Sequence, residues 1–553
     1  MPEISVIIPT FNRAGLIGRC LDALARQTAA PESFEVVVVD DGSTDATADL
    51  LARRSAPHAL RVERQSNSGQ SAARNRGISC ARGRYCLFLD DDIEAGEGLV
   101  EEHLAAQRAL GGAIGIGNLG ISLRERPGAA ENHFATWWKS HYERLADGSR
   151  QPDFRECYSG NLSAPLDVVR EVGGFDPSLP ASMDVEFAYR LQQTGLRAVF
   201  LPRASAEQIY VKSFPGIVRD WDAMGVAAVK AYRRHPELLQ YPPLGDFNEG
   251  GPRMILARRA LLASRAPTWP LRLFDRVLAG RPPARVYTVL QQHCFWRSVR
   301  RELGNSDDWS ALTRGPVVLL YHALGGRQER ASRYIVPAAR FRRQLRWLRR
   351  RGYKVISLDD YAACRHDGRI PPSKSVVITF DDGYADNLDR GLPLLQEAGF
   401  GAHLFVVAGA VGSVTRWPPS SPLDGRQLLT WEQVDELGRT SVEIGAHTMS
   451  HPKLRDLQSD EARWEIVESR SMLERRLEAP VLHFAYPYGN TSVEVQELVR
   501  EAGFETACGI QEGPNGHAVP IHELRRVEVR GTWSLLTFAL AVRLGFEPRL
   551  RRR

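Results

Sequence analysis

The sequence predicts an α/β protein with two separate sheets: a Rossmann-like parallel sheet at the N-terminus and a distorted (β/α) barrel at the C-terminus, joined by a basic helical connector. Three observations carry this. Short β-branched runs alternate with amphipathic stretches from Ile4 to Asp92, a second series of the same kind begins at Gly315, and between them lies a proline-divided, arginine-rich segment. Strands alternating with helices of this length argue for parallel sheets covered on both faces. At 553 residues the chain also exceeds what one core can bury, since cores stop growing near roughly 250 to 300 residues.

The first series reads ISVIIP, GLIGRCLDALARQ, FEVVVVDDG, TDATADLLARR, SAARNRGISCARG and RYCLFLDDD, and its domain is placed at residues 1–235. Two of its strands end in acidic residues. Ligands of open α/β sheets sit at the carboxyl ends of the strands, so both acid clusters should face one crevice. Residues 236–314 form the connector, whose stretches LRLFDRVLAG and RVYTVLQQHCFWRSVRREL read as short amphipathic helices. Residues 250–314 hold twelve Arg, no Lys and four acids, against a net charge of +6 for the whole chain. The basicity therefore belongs to this segment. It reads either as packing that bridges the domains or as a peripheral contact with an anionic membrane, where Arg beside Trp and Phe suits lipid; nucleic-acid binding is not expected. The second series, PVVLLYH, AARFRRQLRWLRRRGYKVISL, SVVITFDDG, LLQEAGFGAHLFVV, WEQVDELGR and VEIGAHTMSH, fills residues 315–553 and is compatible with a parallel barrel.

Composition is that of a soluble globular chain, 43% hydrophobic and 25% charged, without a run of roughly 20 apolar residues. The start MPEISVIIPTFNRAG enters a strand directly and does not read as a signal peptide. The seven cysteines are scattered and never spaced as CxxC, so they read as reduced and structural. A cytoplasmic protein is expected, with the inner face of the plasma membrane as its peripheral site if the connector binds lipid.

Moving a sugar from a nucleotide donor requires neutralising a leaving diphosphate and deprotonating an acceptor hydroxyl, which calls for carboxylate-held Mg²⁺ or Mn²⁺ and a separate base. Asp90 and Asp92 flank Asp91 at a strand end, where alternation would put both side chains on one side. In order and spacing, VIIPTFNR, VVDDGSTD, NSGQSAARN, FLDDD and GNLSAPLDVVREVGGFD resemble glycosyltransferase family 2, inverting enzymes with the GT-A fold. The resemblance implies that Asp40 and Asp41 hold the nucleoside with Thr10 and Arg74 nearby, that Asp90 binds the ribose and Asp92 the metal diphosphate, and that Asp184 in SMDVEFAYR is the base. Met183 stands where relatives carry Glu, and Gln208 where many place a metal-assisting His. Membrane helices and a QxxRW motif, which processive synthases carry, are not found in the sequence.

Hydrolysing an amide or ester needs an activated water and a Lewis acid, a role Zn²⁺ fills with three protein ligands. TFDDGYADN supplies two carboxylates at a strand end, and HTMSH sets His447 and His451 four residues apart, on one face if that stretch makes a helical turn. With LLYH, LRRRGYKVISLDDY, FAYPYG and LVREAGF, these resemble the polysaccharide deacetylases of carbohydrate esterase family 4, also called the nodulation-factor deacetylase homology domain. The resemblance implies that Asp382, His447 and His451 bind Zn²⁺ or a similar divalent ion, that Asp381 is the general base, and that a backbone N–H near Tyr488 meets the oxyanion. Two departures stand out. HFAYPYG, with His483 and Ala485, lacks the Arg that orients the base in many relatives, and the late Leu-x-His that supplies the general acid is missing, with His517 and His522 off the pattern. The expected function is bifunctional: transfer of an N-acetylhexosamine from a nucleotide sugar to a glycan or lipid-linked acceptor, and deacetylation of a glycan. The alternative keeps the transferase and makes the second half a carbohydrate-binding module.

Overall fold

The computed structural model describes residues 1–125, 127–241, 243–247, 251–263, 284–417 and 422–548. It forms two compact units, Met1–Ala231 with Leu261–Glu302, and Tyr232–Ala260 with Leu303–Arg553.

In the first unit, strands β1 (Ile4–Thr10), β2 (Phe34–Asp40), β3 (Ala59–Arg64), β4 (Tyr85–Leu89), β5 (Ile93–Ala95), β6 (Ile114–Leu123), β7 (Asn161–Pro165) and β8 (Ala198–Tyr210) form one sheet in the order β3-β2-β1-β4-β7-β6-β8-β5. Pairing is parallel from β3 to β4. It is antiparallel where β7 meets β4 and β6, and where β5 meets β8, so the sheet is mixed, not wholly parallel. Every residue of β1, β2 and β4 is buried, as expected of strands covered on both faces. The Gln70–Cys80 helix lies against β1 through Gly77, where a Cβ would fall 2.4 Å from Ile7 Cγ2. That close approach carries Arg74 to the strand ends. Beneath β7, buried His103 bridges Ser163 Oγ (2.8 Å) and Asn161 Oδ1 (2.9 Å), satisfying polar groups that would otherwise cost a desolvation penalty.

In the second unit, β9 (Val317–Tyr321), β10 (Ala323–Gly325), β11 (Ile335–Pro337), β12 (Lys354–Val355), β13 (Ser375–Phe380), β14 (Ala402–Val406), β15 (Val442–Ala446), β16 (His483–Ala485), β17 (Thr506–Cys508) and β18 (Arg526–Glu528) follow one another. Seven pair in parallel in the order β17-β16-β15-β14-β13-β9-β18, β12 adds to β13, and a Cys508–Leu524 bridge draws the two edges together. The result is a nearly closed barrel whose strands present their carboxyl ends on one face.

The connector is shared between the units. Its Ala284–Leu303 helix packs in the first unit, where Arg297 and Ser298 both hydrogen-bond Asp222; Phe295 and Trp296 are buried. These aromatic side chains are therefore spent on packing and do not face lipid. The LRLFDRVLAG stretch lies outside the described residues. Among the described residues no helix is long and apolar enough to cross a membrane.

Candidate functional sites

In the first unit β1, β2 and β4 deliver Thr10, Asp40–Asp41 and Asp90–Asp92 to one end of the sheet. Strand β4 stops at Leu89, so Asp90–Asp92 form a turn and strand alternation does not govern them. Each of the three is held separately. Asp90 accepts from Arg74 (2.5 Å) and Gln70 (3.2 Å), Asp91 from Thr10 Oγ1 (2.7 Å), and Asp92 from Gln208 Nε2 (3.2 Å). Gln208, on β8, thus stands beside Asp92. Burial pushes Asp92 up to about 7 and Asp91 to about 6, with neighbouring carboxylates adding to the rise. Carboxylates this reluctant to ionise together favour a cation among them.

Asp184 sits in the first turn of the Met183–Gln193 helix and accepts from Ser159 N at 3.4 Å. Burial raises its carboxyl, while Arg74 lowers it and Asp90 raises it further, which places these three charges near one another. Asp40 and Asp41 face inward instead. Asp41 accepts from Gln65 Nε2 (2.8 Å), Ser68 N (2.9 Å) and Gly69 N (2.8 Å), and Asp40 from Ser43 N (2.9 Å). Both brace the loops that rim the crevice. The site therefore brings Thr10, Arg74, Asp90–Asp92 and Asp184 together, with Asp40 and Asp41 at the end of the neighbouring strand β2.

In the second unit, Asp381 and Asp382 follow β13, and His447 follows β15. HTMSH is not a helical turn but a loop. Thr448 and His451 take positive φ (68° and 63°), and buried Glu465 pins the loop by accepting from Met449 N (2.8 Å) and Ser450 N (2.9 Å). This turns both imidazoles toward Asp382, whose Oδ1 lies 3.5 Å from His447 Nε2 and 3.2 Å from His451 Nε2. His447 Nδ1 is 2.7 Å from Ala485 O, so that nitrogen carries the proton and Nε2 offers its lone pair. A carbonyl that fixes the tautomer in this way is the usual support of a metal-ligating histidine. The three ligand atoms lie within 4.8 Å of one another, and the donor set suits Zn²⁺ or a similar ion.

Asp381 does a different job. Its carboxylate is clamped by Arg526, Nη1 and Nη2 each 2.7 Å from one oxygen, and Arg526 Nε donates to Gly509 O (2.8 Å). Both side chains are fully buried or nearly so. Burial alone would raise Asp381, but Arg526 and then His447 hold it below the usual carboxylate range. Burial likewise opposes ionisation of Asp382, and its hydrogen bonds with the two histidines hold it well below that range. The arginine that HFAYPYG lacks is thus supplied by β18, from Arg526. Its only sequence signal is a charged residue within an otherwise strand-like RRVEV.

These groups line a cavity of about 180 Å³ with His322, Trp417, Tyr488 and Glu528. Trp417 stacks on His451 (4.8 Å between ring centroids) and Tyr384 Oη donates to Asp382 Oδ2 (2.8 Å). Tyr488 is left-handed (φ 58°) with its ring 4.7 Å from His451. His322 follows Tyr321, which pairs with Phe380 across β9 and β13, so His322 stands beside Asp381. His517 and His522 lie elsewhere, spent on the carbonyls of Arg369 and Phe504.

Comparison with known proteins agrees with this division. Residues 5–173 match the family model Glycosyl transferase family 2, and residues 368–507 match Polysaccharide deacetylase. A validoxylamine A glucosyltransferase of Streptomyces hygroscopicus subsp. limoneus is 31% identical over 272 residues, 43% of this chain and 58% of that protein. The chain thus spans less than two thirds of this relative. Among solved structures, the Streptococcus pyogenes deacetylase PplD in complex with acetate aligns over 42% of this chain and 98% of its own (22% identity, TM-score 0.36). The mannosyltransferase PcManGT from Pyrobaculum calidifontis in complex with GDP-Man and Mn²⁺ aligns over 55% and 88% (22% identity, TM-score 0.39). The chain is a fusion of a family 2 glycosyltransferase domain with a polysaccharide deacetylase domain.

Proposed function

We propose that the chain builds and trims one glycan: it transfers an N-acetylhexosamine from a nucleotide sugar to a glycan or lipid-linked acceptor, with inversion, and removes an acetyl group from that glycan. The observation that carries the second activity is the placement of Asp381, clamped by Arg526, beside the Asp382–His447–His451 cluster at the carboxyl ends of the barrel strands.

In the transferase half, Asp184 takes the proton of the acceptor hydroxyl as its oxygen attacks the anomeric carbon and the diphosphate leaves. Burial raises its pKa and so makes it a stronger base. Mg²⁺ or Mn²⁺ among Asp90–Asp92 would offset the charge of the departing diphosphate. Thr10 and Arg74 keep the acidic turn in place.

In the deacetylase half, Zn²⁺ or a similar ion held by Asp382, His447 and His451 would supply Lewis acidity toward a water and the acyl oxygen. Asp381, kept ionised by Arg526, accepts the proton of that water. A backbone N–H of the Tyr488 turn, which lines the same cavity, would meet the oxyanion. His322, which lines the same cavity beside Asp381, donates a proton to the leaving nitrogen and so takes the part that Leu-x-His plays in relatives. Tethering raises the concentration of one domain's product at the other. Donor sugars are cytoplasmic, so the deacetylase would act on an unfinished, lipid-linked glycan there.

The test is acetate release from an N-acetylated oligosaccharide by the metal-loaded chain. Wild type should release acetate and His447→Ala should not; no release by wild type would leave the second half as a carbohydrate-binding module.

A further inference from the structure

The other end of the barrel carries a second cluster that neither activity uses. His403, Glu443 and His483 lie at the starts of β14, β15 and β16, away from the strand ends that bear Asp381 and His447. Their ligand-bearing atoms fall within 4.8 Å of one another. Asp359, in the first turn of the Leu358–His366 helix, joins them: its Oδ1 is 3.0 Å from His483 Nε2, and it lines one cavity with Glu443 and His483. His403 and His483 are nearly wholly buried. The cluster opens onto a cavity of about 480 Å³, large enough for an ion and its waters to enter.

Hydrogen bonding divides the roles. His403 Nε2 accepts the Leu358 N–H at 2.8 Å, so a neutral ring must carry its proton on Nδ1, and that nitrogen cannot ligate. It lies 3.3 Å from Glu443 Oε2, and both atoms are buried without a hydrogen-bond partner among the described residues. A protonated Nδ1 can serve only as a donor toward that oxygen, so it is the carboxylate that calls for an unseen water or ion. His483 is oriented the other way. Its Nδ1 lies 3.0 Å from Thr506 Oγ1, a hydroxyl that can donate or accept, so Nδ1 can carry the ring proton once Nε2 gives up its own between the two carboxylates. Arg476 lines the same cavity, but its charge is met by Asp435 at 2.8 Å.

We propose that His483 Nε2, Asp359 and Glu443 bind a divalent first-row cation, with His403 as the outer residue that orients Glu443. One imidazole and two carboxylates suit Zn²⁺, Mn²⁺ or Fe²⁺ more than a thiolate-seeking ion, and an N–H donated to a ligating carboxylate is the ordinary outer-shell support. The ion would replace the proton between His483 and Asp359 and neutralise the carboxylate pair. Its role would be structural, tying two strand starts to a helix start at the base of the barrel.

The test counts metal. The full chain carrying Asp92→Asn, which removes the transferase site from the count, is stripped with chelator and titrated with Zn²⁺ alone, and bound metal is read by calorimetry and elemental analysis. Two equivalents are expected. Glu443→Gln should bind one and still release acetate, Asp382→Asn should bind one while keeping the basal site, and the double variant should bind none. Asp359→Asn, at a half-exposed position, should weaken the basal site at least tenfold and gives the same readout if Glu443→Gln does not fold. A count of one in the parent chain, or two equivalents of unchanged affinity in Glu443→Gln and Asp359→Asn, would overturn the proposal.

Discussion

Replacing Arg526 by Met removes the guanidinium while keeping most of the side-chain volume, and the structure sets the cost. Arg526 and Asp381 meet through two 2.7 Å contacts with almost no solvent access. Deleting one partner of such a pair leaves a buried charge and costs about 3–5 kcal/mol. A second route gives a similar figure. To escape, Asp381 must protonate at pH 7, more than about three units above the ordinary value of 3.8; at 1.36 kcal/mol per unit this is about 4 kcal/mol. The sign follows from the depressed pKa. Asp381 stabilises the fold above pH 3.8, and that contribution is lost as pH falls through its folded value. Denaturant unfolding at pH 7 of wild type, Arg526→Met, Asp381→Asn and the double variant measures the coupling. Arg526→Met should be the least stable, the double variant should recover much of the loss, and the acidic limb of the acetate-release profile should move upward in Arg526→Met. Unfolding of Arg526→Met at the wild-type midpoint, with that limb unmoved, would refute the reasoning.

The other predictions concern single groups. Asp184→Asn should cut sugar transfer by about 10²- to 10⁴-fold while donor binding, followed by calorimetry, stays within a few-fold; equal losses in both would make Asp184 a binding residue. Because Asp92 sits at about 7 and a cation needs it ionised, Mn²⁺ affinity should rise from pH 6 to pH 8 and level off above, a slope that Asp92→Asn should abolish. His322→Gln should lower kcat for acetate release by about 10²- to 10⁴-fold with Zn²⁺ content unchanged, and a wild-type rate in that variant would leave the proton donor elsewhere.

Much of this was legible because its signals are local. VVVVDDG, LFLDDD, VITFDDG and VEIGAHTMSH each take a strand-like run to an abrupt polar end, the place where ligands of parallel α/β sheets sit. What stayed hidden depends on long-range closure. Arg526 meets Asp381 from 145 positions away, through a barrel edge that no short window reveals. His322 gained meaning only once β9 was seen to pair with β13. The helical reading of HTMSH failed because Glu465, on another element, supplies the hydrogen bonds that hold a loop there. The mixed sheet of the first unit arises from β7 and β5, short strands of five and three residues that carry no mark of strand direction. The pairing of His403 with Glu443 is likewise a matter of register between β14 and β15.

The central claim is that one glycan passes through both domains. The purified chain, supplied with Mn²⁺, Zn²⁺, a nucleotide-activated N-acetylhexosamine and a lipid-linked acceptor, should give a product whose mass first gains one N-acetylhexosamine and then loses one acetyl group. His447→Ala should stop after the gain, and Asp184→Asn should show neither change. A wild-type product that gains the sugar and never loses acetyl would contradict the claim.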